Sequence, residues 1–188
     1  MVLRHDTTSG YDAALRSGFA WAAANGYDVV VSMDADGQHD PGILDAVVSP
    51  VRDGEVSMAL GVRPQPARIS ERVFGWYSRL RFGVPDPLCG VKAFSVGIYN
   101  RHEESMAADT IGTGLALAAL RAGVRPALIV VPIHAREDKS RFGSGVRPNA
   151  RILRVLLVAI LRDLGASCRS PWPSRPRAPE VPRADRSP

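Results

Sequence analysis

The sequence predicts an α/β fold in which a small, mainly parallel sheet is flanked by helices. Three observations carry this expectation. Short apolar runs rich in β-branched residues alternate with longer segments of helical periodicity, the pattern of strand–helix repeats. The run DVVVSM at 28–33 is apolar on both sides, as a strand covered on both faces must be. The chain opens almost directly into a helical pattern, with at most residues 2–4 as a strand stub, so few strands remain to build the sheet.

Taken in order, residues 11–25 are alanine-rich, with Leu15, Phe19 and Ala22 at helical spacing and Gly26 as a stop. The strand at 28–33 follows. Residues 41–52 read as a helix with Pro41 in its first turn, and 56–62 as a second strand. In 69–81, Ile69, Val73, Phe74, Tyr77 and Leu80 share one helical face, and the aromatic set Phe74, Trp76 and Tyr77 reads as packing rather than a sugar platform. Residues 109–122 form a helix, or a loop and then a helix, and ALIVVPI at 127–133 is a further strand. Residues 147–164 form a strongly amphipathic helix. Arg147, Arg151, Arg154 and Arg162 lie on one stripe, and leucines and isoleucines cover the other side.

A chain of 188 residues, 45% hydrophobic and 23% charged, suits one globular domain, placed at 1–165. Residues 166–188 hold six of the fifteen prolines and are expected to be disordered. That tail also carries five arginines against Glu180 and Asp185, so much of the formal net charge of +5 sits there. The body is nearly balanced, and nucleic acid is not an expected partner. Cys89 and Cys168 lie far apart in sequence, with no metal-cluster spacing. No apolar run approaches the roughly 20 residues of a membrane span. His5 and His134 show no ligand spacing and read as structural.

The most informative segment is DADGQHDP at 34–41, directly after the strand at 28–33. In parallel sheets, ligands collect at the carboxyl ends of strands. Two carboxylates one residue apart there, Asp34 and Asp36, suit a hard divalent cation, Mg²⁺ or Mn²⁺, that keeps positions for phosphate oxygens. Gly37 permits a tight turn, Gln38 adds a neutral oxygen and His39 a nitrogen. The plainer reading is a polar turn with Asp40 as N-cap ahead of Pro41. The whole octet after a buried strand favours the cation.

The stretch GYDAALRSGFAWAAANGYDVVVSMDADGQHDP, 10–41, resembles the family 2 glycosyltransferases, above all the branch with dolichol-phosphate mannosyltransferase and bacterial polyprenyl-phosphate glycosyltransferases. The likeness continues at Gly61-Val62-Arg63, similar to the family's Gly-x-Arg, and at DPLCGVKAF, 86–94, similar to its acceptor-side segment. It ends near REDKSRFG, 136–143, similar to the basic loop after the last strand. The resemblance implies a GT-A, nucleotide-diphosphosugar transferase fold over roughly 140 residues. It implies that Asp34, Asp36 and Gln38 hold Mn²⁺ or Mg²⁺ against the diphosphate of a nucleotide-sugar donor. It also implies that the chain starts after the strand–helix–strand unit that binds the donor's base, so that the fold is N-terminally truncated.

The chemistry follows from these residue types. Departure of a nucleoside diphosphate needs its charge neutralised, which a divalent metal does as a Lewis acid and arginines by bidentate contacts. Arg63, and the loop carrying Arg136, Lys139 and Arg141, are the expected donor contacts; a solvated basic loop is the alternative for the last three. An inverting transfer to a hydroxyl needs a carboxylate base, whereas a phosphate acceptor is already ionised. Asp109 and Asp86 are the base candidates, with a helix N-cap and a turn residue as their alternatives. By the same resemblance Arg72 and Lys92 face an acceptor phosphate; the alternative is ordinary surface charges. The basic helix at 147–164 lies on an anionic membrane surface or packs on the sheet.

The expected function is metal-dependent, inverting transfer of a sugar from a nucleoside diphosphate to a polyprenyl-phosphate or related cell-envelope acceptor. The expected place is the cytoplasm, peripheral on the inner face of the cell membrane, and the expected partners are the donor, the lipid-phosphate acceptor and a second copy of the chain. The alternative is a truncated, non-catalytic fold that binds a partner.

Overall fold

The structure is a computed structural model, and it describes residues 2–64, 68–106, 110, 112–133 and 146–166. Four strands form one sheet: β1 (Val29–Ser32), β2 (Met58–Val62), β3 (Lys92–Ser95) and β4 (Ala127–Val130). Their order is β1-β3-β2-β4. β2 and β4 pair in parallel, whereas β3 runs antiparallel to both of its neighbours, with Val31 opposite Ala93 and Leu60 opposite Lys92. Three strands thus point the same way, as expected, and one is reversed between them. β3 overlaps the end of DPLCGVKAF, 86–94, where the sequence predicts no strand, and its four residues, KAFS, are too short for an alternation signal. Residues 2–4 form no strand.

Six α-helices surround the sheet among the described residues: α1 (Tyr11–Ala24), α2 (Leu44–Arg52), α3 (Ile69–Phe82), α4 (Val96–His102), α5 (Gly114–Arg121) and α6 (Val146–Ala166). Strand alternation divides the core into two layers. Met58, Leu60 and Phe94 face Phe19, Phe74, Ile98 and Leu115 on one side. Ala59, Ala93 and Ile129 face Val47 and Val51 on the other. No helix among the described residues is long and apolar enough to cross a membrane. Ala166 closes α6, and the rest of the tail, 167–188, lies outside the described residues.

Two helices correct the reading of their faces. On α3, Phe74 is buried, but Ile69, Val73, Trp76 and Leu80 are exposed, Trp76 by 67%. The inward side carries Ser70, Glu71, Gly75 and Ser78 besides two phenylalanines. Close approach explains that composition: a Cβ on Gly75 would stand 2.4 Å from the Pro85 carbonyl oxygen, so only small residues fit there. Glu71 is buried because two arginines meet it, as described below. On α6, Ile152, Val155, Leu156 and Ala159 are buried, while Leu153, Leu157, Leu161 and Leu164 are exposed.

α6 is anchored by a polar staple. The buried Asp163 accepts from Arg121 Nε at 2.5 Å through Oδ1 and from the Tyr77 hydroxyl through Oδ2. Ser70 Oγ donates to Asn149 Oδ1 at the other end of the helix pair. Burial and the Asp163 carboxylate both push the Tyr77 phenol well above its ordinary value, so it stays a donor at all ordinary pH. Asp163→Asn keeps the shape but removes the charge that Arg121 meets. It is expected to lower stability by about 2 kcal/mol, the size of a charge-assisted hydrogen bond, measured by urea unfolding with an unchanged m-value.

Candidate active site

The acid loop follows β1 directly and sits at the strand's carboxyl end. Its turn is built locally. Asp36 Oδ1 accepts from the Gln38 backbone N–H at 3.2 Å, and Gly37 takes φ 77°, a left-handed value that favours glycine. Asp40 Oδ1 accepts from the Gly42 N–H at 2.9 Å, capping the short turn that begins at Pro41. The plain cap reading of Asp40 therefore holds together with a placed acid pair.

The loop is met by a second segment, 86–92. Ser32 Oγ donates to the Gly90 carbonyl at 2.9 Å, tying the end of β1 to it. Asp34 lies directly over Gly90: a Cβ there would fall 2.1 Å from Asp34 Oδ2 and 2.5 Å from Cγ. The missing side chain is what gives this carboxylate its seat. Tyr11, the first residue of α1, donates its hydroxyl to Asp34 Oδ1 at 3.2 Å. Burial, reinforced by Asp34, raises the Tyr11 phenol far above its usual range, so it remains protonated. Next to it, Asp12 Oδ1 accepts from Thr110 Oγ1 at 3.1 Å and from the Gly112 N–H at 2.8 Å. The start of α1 thereby joins the acid loop to the loop before α5.

Arg63, at the end of β2, belongs to a buried charge cluster. Its Nε donates to Asp86 Oδ2 at 2.7 Å and its Nη2 to Oδ1 at 2.8 Å, while the Arg63 backbone N–H also donates to Oδ2 at 3.1 Å. Nη1 lies 3.2 Å from Glu71, which Arg68 meets at 3.0 Å. Burial alone would lower the Arg63 pKa, but the hydrogen bonds and charge of Asp86, with Glu71, hold it above its ordinary value. Two arginines and two carboxylates meet here, and they hold the Arg63 guanidinium in one orientation.

Lys92 and His39 complete the surroundings. Lys92 is buried, not an ordinary surface charge, and its Nζ donates to the Cys89 carbonyl. Burial pushes its pKa down; the charges of Asp34 and Asp86 act in the opposite sense. His39 is buried too, and its Nδ1 has no hydrogen-bond partner among the described residues. Burial lowers its pKa against the pull of Asp34 and Asp36, which favours the neutral ring, with one nitrogen able to accept. Burial also raises the Cys89 thiol, with Asp86 adding to it.

The expected residues thus divide. Asp34, Asp36, Gln38, Arg63 and Asp86 gather at the ends of β1 and β2. Asp109 and the loop with Arg136, Lys139 and Arg141 lie outside the described residues, as does His134. Arg72 is exposed on α3. His5 shares a hydrogen bond of 2.9 Å with Ser17. Sequence reading missed Tyr11, Asp12 and Glu71. Glu71 carries the one available signal, being the sole acid in the arginine-rich stretch 68–81.

A mixed sheet with one reversed strand and an acid loop at the carboxyl end of β1 define the class of the protein, an α/β fold of the GT-A type. Solved structures agree. The chain is similar to glucosyl-3-phosphoglycerate synthase from Mycobacterium tuberculosis in complex with Mn²⁺, UDP-glucose and glycerol 3-phosphate, with a TM-score of 0.59 and 20% identity, covering 94% of this chain and 66% of that one. The phosphoglyceric acid complex of the same enzyme gives a TM-score of 0.58 at 20% identity, over 85% and 56% of the two chains. Residues 1–92 match the sequence profile of glycosyl transferase family 2. That match covers just under half of the chain, and over those residues the chain is similar to the family.

Two curated relatives are similar over half of this chain: an undecaprenyl-phosphate mannosyltransferase of Micrococcus luteus, 32% identical, and a polyprenol monophosphomannose synthase of Mycolicibacterium smegmatis, 33% identical. The chain spans 42% and 39% of their respective lengths.

Proposed function

We propose that this chain is a metal-dependent, inverting glycosyltransferase domain that moves a sugar from a nucleoside diphosphate to a polyprenyl phosphate or a related cell-envelope acceptor. The observation that carries the reading is the seat of Asp34: a carboxylate at the carboxyl end of β1, held by Tyr11 and pressed on the bare backbone of Gly90. The names of the two bacterial relatives support a mannosyl group and a polyprenyl-phosphate acceptor.

The donor set fits Mn²⁺ or Mg²⁺. Asp34, Asp36 and Gln38 offer hard oxygens, and the unpartnered Nδ1 of buried His39 is a further lone pair beside them. Among the described residues no three His, Cys, Asp or Glu side chains form a cage. Such a set suits a cation that completes its shell with water and a diphosphate. When bound, the metal supplies charge neutralisation for the leaving diphosphate.

The chain's own residues do the rest. Tyr11 fixes the Asp34 carboxylate. Asp86 and Glu71 hold the Arg63 guanidinium in one orientation beside the loop, where it contacts the donor. Arg136, Lys139 and Arg141 are proposed for the donor diphosphate on their sequence positions. Both oxygens of Asp86 already accept from Arg63, so we assign it to orientation, and Asp109 is the proposed base for an acceptor that presents a hydroxyl. A phosphate acceptor is ionised near neutral pH and needs no base.

Calorimetric titration of UDP- and GDP-sugars, with and without Mn²⁺, tests this. Binding is expected to require Mn²⁺ and to weaken about a hundredfold in Asp36→Ala, since metal stabilisation amounts to several kcal/mol. Donor binding that is indifferent to both Mn²⁺ and Asp36 would overturn the reading.

A further inference from the structure

The first two residues of α1 hold two distant segments at once. Tyr11 reaches the acid loop, its hydroxyl donating to Asp34 Oδ1 at 3.2 Å. Its ring lies on Gly112. A Cβ there would stand 2.7 Å from Tyr11 Cε1 and 3.4 Å from the hydroxyl oxygen, so a bare backbone is what leaves the ring its place. Asp12 holds the same glycine from its amide side: Oδ1 accepts from the Gly112 N–H at 2.8 Å and from Thr110 Oγ1 at 3.1 Å. The turn so held is closed on itself. Thr113 donates its N–H to the Thr110 carbonyl at 3.0 Å, and its hydroxyl donates to the same oxygen. A cavity of about 10 Å³ adjoins this turn between Asp12, Ser32, Phe94 and Gly114, room for about one water. Side chains do not fill that space, so the two hydrogen bonds to Asp12 carry the position of the turn.

We propose that Asp12 is a positioning residue for the acid loop, acting through Gly112 and Tyr11 on Asp34. The contacts run without a gap. Asp12 sets the place of Gly112, Gly112 sets the Tyr11 ring, and the ring carries the hydroxyl that meets Asp34. The hydrogen bonds of Asp12 itself go to the turn before α5, so its effect on Asp34 passes through Tyr11. The turn and the acid loop therefore shift together. Groups that orient a metal ligand without touching the metal are commonly worth about 10- to 100-fold in metal affinity. The inference deepens the transferase reading and rests on it for the metal alone; the coupling of the two segments is read without metal.

Hydrogen exchange on the metal-free full chain tests the coupling. Asp12→Ala is expected to speed exchange about tenfold both at the Gly112 amide and in 33–39, the scale of one lost hydrogen bond to a charged group, while β2 and β3 keep their protection. Asp12→Asn, which keeps an acceptor oxygen toward Gly112, is expected to restore most of the protection. Tyr11→Phe, which keeps the ring, is expected to loosen 33–39 and leave Gly112 protected. Mn²⁺ alone is then titrated and followed by the paramagnetic resonance of the free ion. It is expected to bind about tenfold more weakly in Asp12→Ala and in Tyr11→Phe, and no more weakly in the double variant. Faster exchange at Gly112 with 33–39 unchanged would overturn the proposal. So would faster exchange in β2 and β3 as well, which assigns Asp12 to general stability, and so would additive losses of Mn²⁺ affinity. A wild type that holds no Mn²⁺ counts against the metal in the transferase reading, and the exchange result still decides the role of Asp12.

Discussion

Gly90→Ala is expected to remove metal-dependent donor binding while leaving the fold standing. The added methyl would fall 2.1 Å from Asp34 Oδ2, well inside contact distance, and the short Asp34 side chain must rotate away. That motion breaks the 3.2 Å hydrogen bond from Tyr11 and displaces one of the two loop carboxylates. A shift of about 1 Å in a catalytic group costs on the order of a hundredfold. The same loss is expected for Asp34→Ala. Because both changes act through one carboxylate, adding Gly90→Ala to Asp34→Ala should cost nothing further, the signature of coupled sites. Calorimetry on the three variants reads this directly. Additive losses would show that Gly90 acts through something other than Asp34.

Asp86→Ala is expected to be the most destabilising single change at the site. Asp86 is buried and takes both guanidinium contacts of the Arg63 fork. Its removal takes both contacts of the fork from Arg63 and leaves it Glu71, which Arg68 also meets. Breaking a buried pair from one side costs about 3 kcal/mol, equivalent to about 6–12 °C in Tm for a chain of this size. Asp86→Asn, which keeps one acceptor oxygen and the shape, should cost less. Differential scanning calorimetry separates the two. A shift under about 2 °C in Asp86→Ala would mean that the charge cluster contributes nothing net to stability.

Much of the site was legible because its elements are local. The acid loop, the Asp40 cap and the strand before it lie within fourteen consecutive residues, 28–41. They report themselves through turn chemistry and a short β-branched run. Tyr11 and Asp12 were hidden for the opposite reason. Their partners, Asp34 and Gly112, are 23 and 100 residues away, and nothing in a helix's first turn announces a distant contact. For Lys92 the sequence left two readings open, an acceptor contact or a surface charge, because a lysine's burial depends on the strands around it. β3 places it opposite both Ser32 and Leu60, between two neighbours.

Periodicity revealed that α3 and α6 are amphipathic, but a periodic stripe does not state which side meets the core. On α3 the close passage over Pro85 and the buried Glu71 turned the small, polar side inward and left Ile69, Val73, Trp76 and Leu80 outside. The sequence by itself determined the alternation of strands and helices and the acid loop at a strand end, since both follow from interactions within a few residues. Only the tertiary structure decided the reversal of β3, the seat of Asp34 on Gly90, the Arg63–Asp86–Glu71 cluster and the outward face of α3. Each of these depends on which distant segments come within a few ångströms of one another, and that is settled by the packing of the whole sheet.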